Sequence, residues 1–266
     1  MQKPVVSDAD ACIIQISDCH LLATPGERLH GWDNWAALEA VVTDVRRVHP
    51  NPSAILLTGD LVHDESAAGY QHLQDLMLKF GVPVYAIPGN HDSPATMAEA
   101  MPGIQVGGTA QIGTWQILML DSHVDGSDSG RVGEQQIEQL HASLSANPQP
   151  SLVAVHHPPA SVGSKWIDAL GMADGGQLLK MLAQHEHVKA VICGHVHQAC
   201  EFSTKGVQIL TTPATTRQFL PSSKSPAFDT QKAPGYRCLH LSISGVLASQ
   251  VNRVPQARIA GIGSEH

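Results

Sequence analysis

The sequence has few aromatic residues and few cations. Its 266 residues include 4 Trp, 3 Tyr and 4 Phe, and its 16 Lys and Arg are outnumbered by 24 Asp and Glu, which leaves a formal net charge of −8. A protein that follows the backbone of a long nucleic acid needs a basic stripe to meet the phosphates. This composition therefore argues against a long nucleic acid as a partner.

Cysteine is scarce, and its spacing suggests no disulfide framework. The five copies are an odd number, and no CxxC pair occurs among them. A small secreted domain held by disulfides would show dense, paired cysteines, so a reducing compartment is the simpler interpretation. The N-terminal residues also lack the long apolar region of a secretory signal. We therefore expect a cytoplasmic protein.

Long apolar runs are missing as well. Residues 100–120 carry no charge, but they contain Pro102, four glycines and three glutamines, which is a poor composition for a membrane span. Hydrophobic residues nevertheless make up 42% of the chain, which is enough for a sizeable core. No linker is long enough to divide the chain, so we expect one domain over residues 1–266.

Short aliphatic runs alternate with longer segments of helical period, which is the pattern of an α/β fold. The predicted strands are Cys12–Ser17, Ala54–Thr58, Val84–Pro88, Trp115–Leu120, Ser151–His156, Val188–Cys193, Val207–Thr212, Tyr236–Ser242 and Val246–Val251. The predicted helices are a segment from a cap at Asn34 to Val48, then Ser66–Phe80, Gly133–Leu144 and Gly175–His185. The last two strands are joined by a Ser-Gly turn, which suggests an antiparallel addition to a sheet.

Two segments stand outside this alternation. The polar loop Pro221–Pro234 is either a solvated connection or a flap over a site, because long loops inside compact domains are often functional. The tail over 253–266 offers little to pack, and we expect it to be loose.

Histidine, in contrast, is abundant, since its 16 copies equal the combined total of Lys and Arg. Imidazole is the commonest metal ligand in proteins and the usual proton shuttle. Polar segments directly follow five of the predicted strands, and they are Asp18-Cys19-His20, Gly59-Asp60, Gly89-Asn90-His91-Asp92, His156-His157 and Gly194-His195-Val196-His197. Ligands collect at that edge of open α/β sheets, so we expect the five segments to converge.

The spacing within these segments suits metal binding. Residues two apart on an extended backbone point the same way, so Asp18 should pair with His20, and His195 with His197. The candidate donors are Asp18, His20, Asp60, Asn90, His156, His195 and His197. They are too many for one tetrahedral zinc ion but suit two ions that share a carboxylate. A set without thiolates favours Mn, Fe, Zn or Co, and two such ions would attract an anionic phosphoester.

In order and spacing, the five segments resemble the calcineurin-like metallophosphoesterase superfamily, whose pattern is DxH, GD, GNH with a following acid, a lone His after a strand, and GHxH. The resemblance covers Ile14 to Pro213. Two further segments, Thr212-Pro213-Ala214-Thr215 and Ala233-Pro234-Gly235-Tyr236-Arg237, are similar to the bacterial class III cyclic-nucleotide phosphodiesterases, in the branch that hydrolyses cyclic AMP. The implied fold is a four-layer αββα sandwich with a dinuclear metal site at the C-terminal ends of the strands.

The resemblance also implies how the donors are shared. One ion would be held by Asp18, His20, Asp60 and His197, and the other by Asp60, Asn90, His156 and His195. Asp60 would therefore bridge the two ions. His156 is preferred to His157 because the family ligand is the first residue of the His-His-Pro segment.

The implied activity is hydrolysis of 3′,5′-cyclic AMP to 5′-AMP by attack of a metal-bridging hydroxide on phosphorus. His91 is assigned to protonate the leaving oxygen, with Asp92 orienting its imidazole. Substrate contacts are expected from His20, Asp60, Asn90, His91 and His197.

Two other functions compete with this one. A broad phosphodiesterase that acts on glycerophosphodiesters or 2′,3′-cyclic nucleotides would use the same metal core. A non-catalytic scaffold of the same fold is disfavoured, because such relatives typically lose ligands or the GNH histidine, and this sequence keeps them all. The expected partner is thus a small phosphodiester, and a homodimer is compatible with the variable assembly of the family.

Overall fold

The computed structural model describes residues 10–255, and two mixed β-sheets form its centre. The strands are, in chain order, β1 (Ala11–Ile16), β2 (Arg28–Leu29), β3 (Trp32–Asp33), β4 (Ala54–Thr58), β5 (Val84–Ile87), β6 (Gln105–Val106), β7 (Gly108–Ile112), β8 (Trp115–Met119), β9 (Ser151–Ala154), β10 (Val188–Cys193), β11 (Glu201–Thr204), β12 (Val207–Thr211), β13 (Gln218–Phe219), β14 (Phe228–Asp229), β15 (Gly235–Leu241) and β16 (Leu247–Arg253). The helices are α1 (Asn34–Val48), α2 (Ala67–Leu78), α3 (Pro94–Ala100), α4 (Glu134–Ala146), α5 (Lys165–Asp168) and α6 (Gly175–Leu182).

The first sheet has the strand order β16-β15-β1-β4-β5-β6. Strands β1, β4, β5 and β6 run parallel, whereas β15 pairs antiparallel with both β1 and β16. The register places Ile14 of β1 between Ile55 of β4 and Cys238 of β15. The predicted antiparallel addition is therefore confirmed, and it lies beside β1.

The second sheet has the strand order β11-β12-β10-β9-β8-β7. Its four inner strands are parallel, and its two edge strands, β7 and β11, are antiparallel to their neighbours. Sequence patterning predicts neither edge strand, because β7 and β11 are largely exposed and lack the continuous apolar run of a strand buried on both faces.

Three apolar clusters hold the layers together. Alternate side chains of one strand enter different clusters, since Ile13 faces the second sheet while Ile14 faces the helices. The outer clusters pack α1, α2 and α3 against the first sheet, and α4 and α6 against the second. This arrangement confirms the predicted four-layer αββα sandwich, with both sheets buried between helices.

Helix α1 fixes the first polar segment to the sheet. Its N-cap is Asp33, whose carboxylate accepts a hydrogen bond from the backbone N–H of Ala36 at 2.9 Å, rather than the predicted Asn34. Asn34 is instead inside the helix, and its amide donates to the carbonyl of His20 at 2.6 Å. The start of α1 therefore anchors the backbone of a candidate metal ligand.

The ends of the described chain bear on two predictions. The polar loop folds back as a hairpin in which β13 pairs with β14, so that Phe219 lies opposite Phe228. Of the tail predicted over 253–266, Arg253 ends β16 and Val254 is buried, and the rest beyond Pro255 lies outside the described residues. Among residues 10–255, no helix has the length and apolar character needed to cross a membrane.

Candidate metal centre

The polar segments after β1, β4, β5, β9 and β10 meet at one edge shared by both sheets. Asp18 follows β1 in the first sheet and His197 follows β10 in the second, yet Oδ1 of Asp18 lies 3.5 Å from Nε2 of His197. The same carboxylate oxygen accepts a hydrogen bond from the backbone N–H of His195 at 2.9 Å. The expected convergence of the segments is thus present in the fold.

The backbone at this edge is strained rather than extended. Five candidate ligands have positive φ angles: Asp18 (54°), His20 (44°), Asp60 (53°), His195 (69°) and His197 (48°). The paired donors were expected to share a side because they alternate along an extended strand. Both pairs do reach the site, but the backbone that carries them is not extended, so the reason given for the pairing is wrong. Each such conformation costs about 1–3 kcal/mol, and strain of this kind concentrates at functional sites.

Two glycines allow the segments to approach so closely. A Cβ atom on Gly89 would collide with Oδ1 of Asp60, and one on Gly194 would collide with Oγ of Ser17 and lie 2.8 Å from the carbonyl oxygen of Thr58. Any side chain at either glycine would therefore displace a candidate ligand or the strand end that carries it.

The first donor set lies around His20. Its Nε2 is 3.1 Å from Nε2 of His197 and 3.5 Å from Oδ2 of Asp60. The ligand atoms of Asp18, His20 and His197 all lie within 4.8 Å of one another. Two donors that each lie about 2.0–2.2 Å from one tetrahedral ion are about 3.3–3.6 Å from each other. The spacings of this set are close to that range, so the set fits a metal ion.

The second donor set lies around His156. Its Nε2 is 3.4 Å from Oδ1 of Asp60 and 3.2 Å from Oδ1 of Asn90. The same Asn90 oxygen is 3.0 Å from Nδ1 of His195. Asp60 therefore directs one carboxylate oxygen toward His20 of the first set and the other toward His156.

Two atoms of the centre are buried without a hydrogen-bond partner among the described residues. They are Oδ2 of Asp18 and Nε2 of His195. Buried polar atoms are nearly always paired, so orphaned atoms in a cluster of carboxylates and imidazoles point to a ligand that satisfies them. The donor chemistry and these two atoms together support a metal site.

Hydrogen bonds from behind fix the imidazoles. Nδ1 of His156 lies 2.8 Å from the carbonyl oxygen of Thr58, and Nδ1 of His197 lies 2.9 Å from that of Arg217. Each Nδ1 therefore faces a carbonyl acceptor, which directs Nε2 of both rings into the centre.

Burial and neighbouring charges shift the pKa values of two candidate ligands, Asp60 and His20, toward the forms that bind metals. Burial raises the pKa of Asp60, but the adjacent His156 outweighs it and holds the pKa well below its ordinary range. Burial lowers the pKa of His20 to about 3. At neutral pH, Asp60 is thus anionic and His20 neutral, which are the forms that bind metals.

His157 is occupied elsewhere. Its Nδ1 lies 2.8 Å from Oγ of Ser122, and its Nε2 lies 3.1 Å from the carbonyl oxygen of Asp128. Both ring nitrogens therefore have protein partners. This geometry supports His156, rather than His157, as the candidate ligand of this segment.

The structure brings His91 to the centre but corrects the role given to Asp92. The His91 ring lies 5.1 Å from the His20 ring. The Asp92 carboxylate makes no hydrogen bond to His91 among the described contacts, because it accepts bonds from four other groups: the backbone N–H groups of Leu61, Val62 and Gly89 and the hydroxyl of Tyr70. Asp92 therefore ties together the loops that carry Asp60 and Asn90.

This role predicts a stability effect. In Asp92→Asn, one acceptor oxygen of the carboxylate becomes an amide N–H₂ group, which faces hydrogen-bond donors and leaves them unpaired. We expect the free energy of unfolding to fall by about 3 kcal/mol. Tyr70→Phe, which removes one hydroxyl from the same carboxylate, should cost about 1 kcal/mol. Urea unfolding of the metal-loaded proteins measures both. Equal stability of Asp92→Asn and the wild type would contradict the role.

Sequence reasoning missed an aromatic wall beside the first donor set. We use this name for Arg217, Phe219 and Phe228. Phe219 stacks on His197 with ring centroids 4.1 Å apart, and the Arg217 guanidinium lies 3.8 Å from the centroid of the Phe228 ring. Only the clustering of Phe219 and Phe228 around the polar loop hints at this wall in the sequence.

A cavity of about 270 Å³ is lined by the aromatic wall and by several histidines. Three of these are His20, His63 and His91, and the His63 and His91 rings are 4.7 Å apart. The sequence offers His63 only as an isolated histidine after Val62, so its neighbours become evident only in the fold. The cavity therefore opens directly onto the candidate centre.

This fold and this donor set define a metallophosphoesterase. The sequence profile of the calcineurin-like phosphoesterase family matches residues 13–199, and the chain belongs to that family. Its family membership makes it a metal-dependent hydrolase of phosphate esters.

Two named relatives and one solved structure are similar to the chain over most of its length. The chain is 37% identical over 259 residues to the 3′,5′-cyclic adenosine monophosphate phosphodiesterase CpdA of Escherichia coli K12, which covers 96% of this chain and 94% of that protein. It is 34% identical over 253 residues to CpdA of Vibrio vulnificus, covering 94% and 92%. A dimetal phosphatase from Danio rerio shares the fold, with a TM-score of 0.61 and 16% identity over 92% of this chain and 99% of that one.

Proposed function

We propose that the protein hydrolyses 3′,5′-cyclic AMP to 5′-AMP with two metal ions bound at the strand ends. The observation that carries this proposal is the complete set of seven donors, with Asp60 facing His20 on one side and His156 on the other. Nearly full-length similarity to enzymes named for this reaction supports the choice of substrate.

The donors divide between two ions. One ion would be held by Asp18, His20, Asp60 and His197, and the other by Asp60, Asn90, His156 and His195. Bound ions of this kind lower the pKa of a water and neutralise charge on phosphoryl oxygens. The mixture of oxygen and nitrogen donors suits Mn, Fe, Zn or Co.

The chain's own groups complete the reaction. A bond from a water oxygen to phosphorus forms as the bond from phosphorus to O3′ breaks, so O3′ must gain a proton. An imidazole N–H of His91, beside the His20 ring, supplies that proton as the general acid. In this proposal His20, Asp60, Asn90, His91 and His197 surround the phosphate.

The cavity beside the aromatic wall suits the nucleoside. Phe228 is 44% exposed, and it lines the cavity that His91 also lines. Aromatic faces bind nucleobases by stacking, and the Arg217 guanidinium above the ring favours an electron-rich base. We place the adenine against Phe228, with the phosphate at the histidines.

Phe228→Ala tests this placement. We expect KM for cyclic AMP to rise about tenfold with kcat nearly unchanged, since loss of one stacking partner costs about 1–3 kcal/mol. Phe80→Ala is the matched control, because Phe80 also carries an arginine, Arg46, over its ring but lies beyond the end of α2. An unchanged KM in Phe228→Ala would place the base elsewhere.

A comparison of substrates tests the proposed function itself. Initial rates on 3′,5′-cyclic AMP, 2′,3′-cyclic AMP and glycerophosphocholine separate a cyclic-AMP enzyme from a broad phosphodiesterase. We expect kcat/KM to be highest for 3′,5′-cyclic AMP. Negligible turnover of cyclic AMP with fast turnover of glycerophosphocholine would contradict the proposal, and no turnover of any substrate by metal-loaded protein would favour a scaffold.

We further place the enzyme in the cytoplasm. All five cysteines are free thiols. Such thiols persist in a reducing compartment, and the cytoplasm is such a compartment.

A further inference from the structure

A second group of metal-binding side chains lies at the opposite end of the first sheet. We call it the Cys–His cluster and define it as Cys12, His49, Cys238 and His240. Cys12 lies near the N-terminal end of β1, whereas Asp18 of the candidate centre follows its C-terminal end. At about 3.3 Å per residue, the two sites are about 20 Å apart along the strand.

Three members of the cluster share one face of the sheet. The antiparallel register places Cys12 directly opposite His240, and Cys238 is two residues from His240 on β15. Side chains two apart on a strand point the same way, so Cys238 and His240 face the same side as Cys12. That side packs against α1.

The fourth member closes the cluster from above. His49 is the C-cap residue of α1, and its backbone N–H bonds to the carbonyl of Val45 at 2.7 Å. Its ring packs edge-on against Tyr236, with ring centroids 5.9 Å apart. The helix end therefore holds the imidazole over the two strands.

The ligand atoms are already close to metal-binding positions. Sγ of Cys238 lies 2.9 Å from Sγ of Cys12, 3.4 Å from Nε2 of His240 and 3.8 Å from Nδ1 of His49. A tetrahedral zinc ion with Zn–S of about 2.3 Å and Zn–N of about 2.0 Å separates its ligand atoms by about 3.5–3.8 Å. Two spacings already lie near that range, and the ligand atoms of Cys12, His49 and Cys238 all lie within 4.8 Å of one another. Cys12 would move away from Cys238, and His240 would move toward the other two ligands, when an ion binds.

The imidazoles have no competing polar partner. Nε2 of His49 and Nδ1 of His240 are buried without a hydrogen bond among the described residues, whereas Nδ1 of His49 and Nε2 of His240 face Cys238.

We propose that the Cys–His cluster binds one zinc ion through two thiolates and two imidazoles, separately from the phosphoesterase centre. Soft sulfur donors with imidazole select zinc over magnesium, calcium or manganese. The ion would join β1, β15 and the end of α1, so its role is structural, with all four ligands supplied by the protein.

Cobalt substitution tests this site without relying on activity. The protein is purified under reducing conditions, stripped of metal and titrated with Co²⁺, and near-ultraviolet absorption is recorded. A thiolate-to-cobalt charge-transfer band cannot arise from the phosphoesterase centre, because the donors of that centre are oxygen and nitrogen. We expect the band in the wild type and its loss on addition of Zn²⁺.

Variants assign the band to its ligands. Cys12→Ser should abolish it and remove one zinc ion per chain, while kcat/KM for cyclic AMP in the loaded enzyme stays within about twofold of the wild type. Cys200→Ser, at a free cysteine outside the cluster, should keep the band. His240 is half-buried, so the His240→Gln variant should still fold. This variant should weaken Co²⁺ binding at least tenfold.

Three results would overturn the proposal. They are the absence of the band from the wild type, a band of equal strength in Cys12→Ser, and a disulfide between Cys12 and Cys238 in freshly reduced protein, as shown by thiol titration and mass analysis.

Discussion

Replacing Asp60 with Asn is expected to lower kcat/KM for cyclic AMP by about 10³-fold or more, because several kcal/mol of charge stabilisation depend on the bound metal ions. The Asp60 carboxylate lies 3.5 Å from His20 of the first set and 3.4 Å from His156 of the second. An amide of the same shape loses the negative charge that the two ions share. The variant should therefore also lose at least one ion per chain.

The measurement pairs steady-state kinetics with metal analysis of the same samples. Asp75→Asn is the matched control, because Asp75 lies on the exposed face of α2 and its substitution removes the same charge as Asp60→Asn. It should keep both the activity and the metal content of the wild type. If Asp60→Asn kept two tightly bound ions and normal turnover, the shared-carboxylate centre would be wrong.

His91→Ala is expected to lower kcat for cyclic AMP by about 10²–10³-fold, which is the usual contribution of a general acid. Among residues 10–255, the His91 side chain forms no hydrogen bond to a candidate ligand, although its backbone N–H bonds to Asp60 at 2.9 Å. Removing the imidazole should therefore leave the metal content unchanged. This separation of activity from metal content is the signature of an acid rather than a ligand.

The leaving group gives a sharper test of the same residue. A nitrophenolate departs without a proton, so His91→Ala should slow bis(p-nitrophenyl) phosphate much less than cyclic AMP. His30→Ala, at an exposed position on the same cavity, serves as the control and should leave kcat nearly unchanged. Equal losses on both substrates, or loss of metal, would make His91 a structural residue.

Much of this site is predictable from the sequence because its residues directly follow strands that can be recognised from local patterns. Buried parallel strands appear as continuous apolar runs, and the runs at Ala54–Thr58 and Val188–Cys193 match β4 and β10 in full. Polar residues that directly follow such strands must emerge at the same edge of a sheet. Asp60 and His195 could therefore be placed together without knowledge of the packing.

Other features depend on contacts that the sequence does not contain. The positive φ angles of Asp18 and His20 arise from tertiary hydrogen bonds, such as the one from the backbone N–H of His20 to the carbonyl of Asp60 at 2.8 Å. Asp92 follows His91 in sequence, which suggested a partnership, yet its carboxylate is occupied by donors from the β4 loop and α2. Adjacency along the chain was a poor guide to contact there.

Long sequence separation hid the remaining features. Cys12 and Cys238 are 226 residues apart, and no spacing rule links them. The aromatic wall likewise joins the GHxH segment to a hairpin that the sequence shows only as a polar loop. The Cys–His cluster forms when β15 pairs with β1, and the aromatic wall forms when the hairpin packs over His197. Both depend on contacts between distant parts of the chain, which local sequence patterns do not show.

The most direct test of the account is the formation of 5′-AMP from 3′,5′-cyclic AMP by the purified chain before chelation, after chelation and after return of Mn²⁺. Using the Cys12→Ser variant confines the metal dependence to the phosphoesterase centre. We predict that chelation abolishes the reaction, that Mn²⁺ restores it, and that 5′-AMP is the product. Full activity in protein proven free of metal, or no hydrolysis of cyclic AMP with two ions bound, would contradict it.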